Sequence, residues 1–122
     1  MTKVERQKTL IILNDPPYGT ERSYNGLRLA GALIKDESVE MRVFLMGDSV
    51  LCANAGQQTP NGYYNLERMI KVVTHRGGTV GACGTCLDAR GLQERDLSQG
   101  ARRSSLDELA SWTRWADKVI VF

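Results

Sequence analysis

The chain has 122 residues, of which 16 are basic and 14 are acidic, so its formal net charge is +2. A length of this order is typical of one domain, and 42% apolar with 25% charged residues argues against intrinsic disorder. The charge is too balanced to indicate nucleic-acid binding, and apolar runs of only a few residues exclude a membrane span. We therefore expect a single domain over residues 1–122, with neither nucleic acid nor membrane as a partner.

The N-terminal segment and the cysteine count indicate a compartment. Residues 1–6 are polar and of mixed charge, and no apolar signal region follows them, so we expect the protein to stay in the cytoplasm. Cys52, Cys83 and Cys86 are an odd number of cysteines in a chain without a secretion signal. This favours free thiols in a reducing compartment over a structural disulfide.

Strand and helix patterns alternate in the first half of the chain. Residues 9–14 are apolar and rich in β-branched side chains, which predicts a strand buried on both faces. The pattern from Thr20 predicts a helix of about fifteen residues. Residues 41–46 predict a second strand, followed by a short helix that Asp48 can begin and Gly56 can end.

The same alternation continues in the second half. Asn65 is suited to cap a helix whose apolar residues recur at positions i, i+3, i+4 and i+7. Residues 79–82 predict a third strand that leads directly into Cys83. Ser105 begins a capping box at the start of the last helix, and residues 118–122 predict a terminal strand. The alternation predicts an α/β fold, a parallel sheet with helices on both faces and functional groups at the carboxyl ends of its strands.

Cys83 and Cys86 form a C-x-x-C motif at the end of the third predicted strand. If the turn after Cys83 is helical, its backbone N–H groups favour a thiolate and lower the pKa of the Cys83 thiol. Arg90 would then lie one turn beyond Cys86 and two beyond Cys83, where its charge could favour a thiolate or a persulfide. By its spacing alone, the motif can be a redox pair, half of a zinc site, or two inert core thiols.

The other candidate ligands and glycines do not favour a metal or a cofactor. A structural zinc site needs four ligands, and beyond the C-x-x-C pair the chain offers only Cys52 and His75 as cysteine or histidine ligands. Cys52 is better interpreted as a packed core thiol and His75 as a residue of a last helical turn. The glycines around Cys83 fit neither the dinucleotide fingerprint nor the P-loop. We expect no metal and no cofactor.

Two further sets of residues are candidates for a pocket and for a contact surface. Asp15 and Tyr18 lie in a turn-forming loop after the first predicted strand, where they could line a pocket at the same edge as Cys83. Trp112 and Trp115 lie to one side of the apolar face of the last helix, which fits either a subunit contact or the rim of the core. The pair Arg102-Arg103 is interpreted as a solvated loop or a subunit contact.

Several segments of the chain, in order along nearly its whole length, resemble the YchN-like branch of the DsrE/DsrF-like superfamily. They are Asn14-Asp-Pro-Pro-Tyr-Gly-Thr-Glu21, Asn25-Gly-Leu-Arg-Leu-Ala30, Phe44-Leu-Met-Gly-Asp48, Gly62-Tyr-Tyr-Asn65, Cys83-Gly-Thr-Cys86-Leu-Asp-Ala-Arg90-Gly91 and Leu109-Ala-Ser-Trp112. The resemblance implies a three-layer α/β/α sandwich with a mainly parallel five-stranded sheet, whose fifth strand falls near residues 101–104. It also implies assembly as a homo-oligomer, a trimer or a hexamer.

The resemblance implies a sulfur-relay function as well. In sulfur-relay members, one cysteine after the third strand accepts sulfur as a persulfide and passes it on. That cysteine precedes an Arg-Gly pair by the spacing at which Cys83 precedes Arg90-Gly91, so Cys83 is the implied carrier, with sulfur donor and acceptor proteins as partners. Cys86 is an addition that the YchN-like branch shares. A C-x-x-C redox protein and a non-catalytic oligomeric binding module are the alternatives.

Overall fold

The computed structural model describes residues 5–122, so residues 1–4 of the predicted domain lie outside the described residues. The strands of the described part are β1 (Gln7–Leu13), β2 (Val39–Leu45), β3 (Thr79–Cys83), β4 (Ala101–Ser104) and β5 (Lys118–Val121). Its α-helices are α1 (Arg22–Leu33), α2 (Leu66–His75), α3 (Gly84–Asp88) and α4 (Leu106–Trp115), and its 3-10 helices are Gly47–Ala53 and Glu94–Asp96. Within residues 5–122, no helix has both the length and the apolar character that crossing a membrane requires.

The described strands form one sheet in the order β4-β3-β2-β1-β5, and every pair of neighbours is parallel. The predicted α/β fold with a five-stranded sheet is therefore confirmed, including the fifth strand that the resemblance placed near residues 101–104. The chain moves outward from β1 to β4 and then returns to β5 on the other side of β1. Because such crossovers are right-handed, this reversal places α4 on the face opposite α1 and α2, which completes the three layers.

The two central strands carry the core. Leu10 and Ile11 of β1 and Val43 and Phe44 of β2 have no exposed surface, although neighbouring side chains of a strand point to opposite faces. Both faces of these strands are therefore covered, which explains why they appear in the sequence as continuous apolar runs.

Capping side chains begin α2 and α4, as the sequence predicted. The Asn65 side chain accepts a hydrogen bond from the backbone N–H of Arg68 at 3.1 Å, and Ser105 Oγ accepts one from the N–H of Glu108 at 3.1 Å. The short helix predicted after Asp48 is a 3-10 helix, Gly47–Ala53. The backbone bond from Asn54 N–H to the Leu51 carbonyl, 3.1 Å long, has the three-residue spacing of a 3-10 helix.

Trp112 is a core residue, and its placement to one side of the core face was wrong. It is only 4% exposed, and its ring meets Phe44 edge-on with the ring centroids 6.0 Å apart. A methyl group on Gly81 would come within 3.0 Å of the Trp112 ring, so this glycine in the middle of β3 leaves the space that the indole fills. Trp115 is half-buried, and the Arg42 guanidinium lies 3.8 Å from its ring centroid. Trp112 therefore gives no support to a subunit contact.

Replacing Trp112 by alanine should remove the main contact between α4 and the sheet. We expect Trp112→Ala to lower the free energy of unfolding by about 3–5 kcal/mol, because it leaves a cavity against Phe44 and Gly81. Urea unfolding followed by circular dichroism measures this loss. Leu106→Ala is the matched control on the same helix, since Leu106 is exposed, and it should change stability by less than about 0.5 kcal/mol. Equal losses in the two variants would contradict the packing described here.

Candidate thiol site at the carboxyl edge of the sheet

The loops that follow β1, β2 and β3 meet at Gly47, at the carboxyl edge of the sheet. The backbone N–H of Gly47 donates a hydrogen bond to Cys86 Sγ at 3.2 Å. On its other side, a methyl group on Gly47 would lie 3.6 Å from the carbonyl oxygen of Asn14. Gly47 has a φ of +56°, a left-handed conformation that favours glycine. The sequence predicted functional groups at this edge of the sheet. The loops approach one another there at Gly47, and the C-x-x-C motif lies on one side of that residue.

Cys83 is both the last residue of β3 and the residue immediately before α3. Its Sγ lies 3.3 Å from Thr85 Oγ1. Burial disfavours the thiolate, but hydrogen bonds from the Thr85 hydroxyl, the Cys86 thiol and the backbone N–H groups of Cys86 and Thr85 outweigh it. The pKa of the Cys83 thiol is therefore below its ordinary value, although the residue is only 5% exposed.

Cys86 ionises less readily than Cys83. Burial and the hydrogen bond with Cys83 raise the pKa of the Cys86 thiol, and the Gly47 N–H and the charge of Arg90 offset these effects only in part. The pKa values of the two thiols thus move in opposite directions, with Cys83 lowered and Cys86 raised. As pH rises, Cys83 is the first of the pair to become a thiolate, and Cys86 remains a neutral thiol that can donate a hydrogen bond to it.

Arg90 lies near Cys86 rather than near Cys83. Its Nη1 donates to the carbonyl oxygen of Cys86 at 2.9 Å, and its Nη2 lies 2.7 Å from Asp48 Oδ1. The sequence placed Arg90 two helical turns beyond Cys83, but α3 ends at Asp88 and the chain turns at Gly91, where φ is +67°. The side chain therefore folds back along α3 and joins it to the 3-10 helix Gly47–Ala53.

The arginine that packs on Gly84, the residue after Cys83, is Arg103, for which the sequence predicted a solvated loop or a subunit contact. Arg103 lies in β4 and pairs with Ala82 of β3. Its guanidinium forms two parallel hydrogen bonds with the Asp88 carboxylate, at 2.8 and 2.9 Å. A methyl group on Gly84 would lie 2.8 Å from Nη2 and 2.9 Å from Cζ of Arg103, so the guanidinium packs on the residue that follows Cys83.

Asp15 and Tyr18 lie in the loop after β1, two strands away from the C-x-x-C motif. Asp15 Oδ2 accepts a hydrogen bond from the Thr20 hydroxyl at 2.9 Å. The Tyr18 hydroxyl donates to Gln57 Oε1 at 2.6 Å, and its ring stacks on Tyr64 with the centroids 6.0 Å apart. Among the hydrogen bonds of residues 5–122, none joins either side chain to the C-x-x-C thiols. Tyr18 instead borders a separate cavity of about 350 Å³, which is lined by Tyr18, Gln58, Thr59, Pro60, Tyr63 and Tyr64.

Cys52 and His75 lie apart from the thiol pair. Cys52 is fully buried in the 3-10 helix Gly47–Ala53, and burial raises the pKa of its thiol to about 12. His75 is the last residue of α2, in the position that the sequence predicted. No three histidine, cysteine, aspartate or glutamate side chains lie close enough together to hold a metal ion in the part of the chain that the structure describes.

Comparison with known proteins gives consistent results along the chain. The model of the DsrE/DsrF-like family matches residues 7–122. Protein YchN of Escherichia coli strain K12 is 43% identical over 117 residues, which are 95% of this chain and 99% of that protein. An uncharacterized protein of Methanopyrus kandleri is 35% identical over 113 residues, 92% of this chain and 91% of its own.

Solved structures agree with this result. The crystal structure of the ychN protein from E. coli superposes with a TM-score of 0.90 and 41% identity, covering 95% of this chain and 99% of the other. A protein of unknown function from Methanobacterium thermoautotrophicum has a TM-score of 0.73 at 17% identity, with 97% and 100% of the two chains covered. At that identity the second structure is evidence for the fold alone.

The order of ionisation can be measured from the pH dependence of alkylation. We expect the alkylation rate of Cys83 to reach half its maximum below about pH 8.5, the ordinary value for a free thiol, and that of Cys86 above it. Iodoacetamide labelling across a pH series, with each cysteine quantified by mass spectrometry, gives both midpoints. The pH midpoint reports ionisation of the thiol, whereas limited access of the reagent lowers the rate at every pH. Slow access of iodoacetamide to the buried Cys83 therefore does not affect the comparison. A lower midpoint for Cys86 would contradict the geometry.

Thr85→Val should raise the midpoint of Cys83 because it removes the hydroxyl donor while keeping the shape of the side chain. A hydrogen bond with a net contribution of about 1 kcal/mol corresponds to a rise of somewhat under one pKa unit, roughly 0.7. Thr113→Val is the matched control, since the Thr113 hydroxyl donates to the Leu109 carbonyl within α4. The account fails if Thr85→Val leaves the midpoint of Cys83 where it is in the control.

Proposed function

The chain belongs to the DsrE/DsrF-like family, and from that premise we propose that it acts in sulfur relay, with Cys83 as the persulfide carrier. The environment of the Cys83 sulfur supports this proposal most directly. Hydrogen bonds from Thr85 and Cys86 to this sulfur favour its thiolate form. The thiolate is the form of cysteine that attacks sulfur. Among the three cysteines, Cys83 is the one whose pKa is lowered.

The proposed loading step is a transfer of sulfane sulfur. The Cys83 thiolate attacks the outer sulfur of a donor persulfide, so a bond forms between Cys83 Sγ and that sulfur. The S–S bond of the donor breaks, and the donor leaves as a thiolate. In the unloading step, an acceptor thiolate attacks the outer sulfur of the Cys83 persulfide, and Cys83 leaves as a thiolate. Neither step needs an external oxidant or reductant.

The raised pKa of Cys86 suits a helper of the carrier. At a pH where Cys83 is charged and Cys86 is neutral, Cys86 donates a hydrogen bond to Cys83 and is itself a poor nucleophile. Because Cys86 is then neutral, it does not attack a persulfide on Cys83, although it is the nearest thiol. Asp15 and Tyr18 stay candidates for contacts with a donor or acceptor protein, and Tyr18 borders the cavity beside Tyr64.

The contact between the two thiols favours a second candidate function, a thiol-disulfide redox protein. If Cys86 loses its proton, it can attack the inner sulfur of the Cys83 persulfide, which forms a Cys83–Cys86 disulfide and releases hydrosulfide. This reaction balances without another oxidant, but returning to the dithiol requires a reducing thiol. We also propose that the chain acts in the cytoplasm, where cysteines stay reduced, with proteins that donate and accept sulfur as its partners. All three cysteines are free in the structure.

We further propose that the chain self-associates, as a trimer or a hexamer, through the outer edge of β5. Within residues 5–122, no strand pairs with the outer edge of β4 or of β5, and β4 protects its edge with Arg102 and Arg103. β5 has no such protection on the face that bears α4, where Val119 and Val121 pair with Leu10 and Ile12. Val121 is 61% exposed. A second copy that covers this strip would bury its exposed apolar side chains.

Sulfur loading of cysteine variants tests the carrier function. We expect Cys83→Ser to lower sulfur loading from glutathione persulfide by at least about tenfold, because it removes the nucleophile. Cys86→Ser should load like the wild type, and Cys52→Ala is the control for a thiol that burial makes unreactive. Cyanide releases sulfane sulfur as thiocyanate, which measures the bound amount.

The outcome separates the candidate functions. Normal loading of Cys83→Ser would show that Cys83 is not the carrier. Higher loading in Cys86→Ser than in the wild type would favour the redox pair, because Cys86 in the wild type would then discharge the Cys83 persulfide as hydrosulfide. A binding module without thiol chemistry would load no sulfur and would keep its partner affinity in Cys83→Ser.

Light scattering at micromolar concentration tests the proposed interface. We expect the wild type to have the mass of a trimer or hexamer, and Val121→Lys to have a lower mass, because a charged side chain in a buried apolar contact is costly. Val72→Lys is the matched control, an exposed valine on α2 at the other face of the sheet. A monomer mass for the wild type would overturn the assembly, and equal effects of the two substitutions would overturn the interface.

A further inference from the structure

Two adjacent arginines of β4 lie on opposite faces of the sheet. Arg102 belongs to the face of α4, where its Nη1 lies 2.9 Å from Glu108 Oε1 and its guanidinium is 5.7 Å from the Trp112 ring centroid. Arg103 belongs to the face of α3, where it binds Asp88. The two side chains are similarly exposed, at 46% and 42%. They differ in the residues that they contact, and of the two only Arg103 packs against Gly84, the residue that follows Cys83.

The orientation of Arg103 is fixed at both ends. Gly84 and Asp88 are four residues apart in α3, so they lie on one side of the helix about one turn from each other. The guanidinium spans this distance, with Cζ and Nη2 close to Gly84 and with its two hydrogen bonds on the Asp88 carboxylate. Asp88 is the last residue of α3, so its carboxylate binds the guanidinium at the end of the helix that is farther from Cys83. The positive charge therefore lies at Gly84, the residue that follows Cys83, with Asp88 beyond it.

We propose that Arg103, held against Gly84 by Asp88, is the positioning residue that stabilises the negative sulfur of Cys83, both as a thiolate and as a persulfide. This inference rests on the proposed reaction of Cys83 as the nucleophile. Arg103 acts through charge, in addition to the hydrogen bonds that Thr85 and the start of α3 supply. The pKa of Arg103 is raised, mainly by its hydrogen bonds with Asp88 and in smaller part by the negative charge of Cys83.

Other charged or titratable groups around Cys83 are already engaged or lie farther along the chain. They are Cys86, Asp88, Arg90, Glu94 and Glu108. Arg90 is directed to Cys86 and Asp48. Glu94 accepts a hydrogen bond from the backbone N–H of Arg103 at 2.7 Å, and Glu108 binds Ser104 and Arg102 on the other face. Arg103 is therefore the cation that the geometry assigns to Cys83.

The absence of a side chain at Gly84 is required for this contact. A methyl group there would overlap Nη2, Cζ and Nε of Arg103 at 2.8 to 2.9 Å, and the flexible stem of Arg103 would have to carry the guanidinium away from Gly84. Alanine also suits a helix better than glycine, so the substitution should not unfold α3. Gly84→Ala should therefore displace Arg103 from Cys83 without removing its charge from the protein.

The test is the pH midpoint of Cys83 alkylation in the full chain. Arg103→Gln should raise the midpoint by about half a pKa unit at low ionic strength, and 1 M salt should remove most of that rise, because exposed charges are screened. Arg103→Lys should keep the wild-type midpoint to within about half of that rise, since it keeps the charge but loses the two parallel hydrogen bonds. Gly84→Ala should shift the midpoint in the same direction as Arg103→Gln. Arg102→Gln, on the other face, should leave it unchanged.

The inference is overturned if Arg103→Gln leaves the midpoint unchanged, or if Arg102→Gln raises it equally. A rise that persists in 1 M salt and in Arg103→Lys would also overturn it, because that result indicates a packing role rather than a charge. The labelling reaction needs no sulfur donor, so it tests Arg103 even if the chain takes up no persulfide. Conversely, normal sulfur loading with an unchanged midpoint in Arg103→Gln would remove this inference and keep the proposed function.

Discussion

The site depends on the direct passage from β3 into α3, with no connecting residue between strand and helix. Cys83 closes the β3–β4 ladder opposite Ser104 and also precedes the first residue of α3. The sheet therefore fixes its backbone, and the first turn of α3 presents the N–H groups of Thr85 and Cys86 to its sulfur. One inserted residue would leave the thiol on a free loop, where burial without these donors would raise its pKa instead of lowering it.

The order of the strands gives the two thiols different surroundings. β3 lies between β2 and β4, so the loop after β2 reaches the C-x-x-C motif from one side and the edge strand β4 reaches it from the other. Gly47, after β2, donates to Cys86, whereas Arg103 of β4 packs on Gly84, the residue that follows Cys83. A motif of two chemically identical residues thus becomes an asymmetric pair. The asymmetry comes from the fold, since the spacing C-x-x-C alone does not distinguish a nucleophile from its helper.

Much of the fold was predictable because its signals are local. Buried strands appear as apolar runs, Asn65 and Ser105 cap helices through bonds three residues along, and Cys83 directly follows a strand. What the sequence did not reveal depends on contacts between distant segments. Arg103 lies beside Ala82 only because β4 pairs with β3, and the short strand that contains two arginines has no clear strand pattern. Trp112 is buried because Gly81, 31 positions earlier in the chain, leaves space for its ring.

The claim at the centre of this account is that Cys83, in its place at the start of α3, is sufficient to hold sulfur. The most direct measurement is cyanide-releasable sulfur in a chain whose only cysteine is Cys83, with Cys52→Ala and Cys86→Ser combined. After exposure to glutathione persulfide and removal of the donor, the account predicts bound sulfane sulfur close to one per chain, located by mass spectrometry on the peptide that contains Cys83. A folded single-cysteine chain that retains no sulfane sulfur would contradict it.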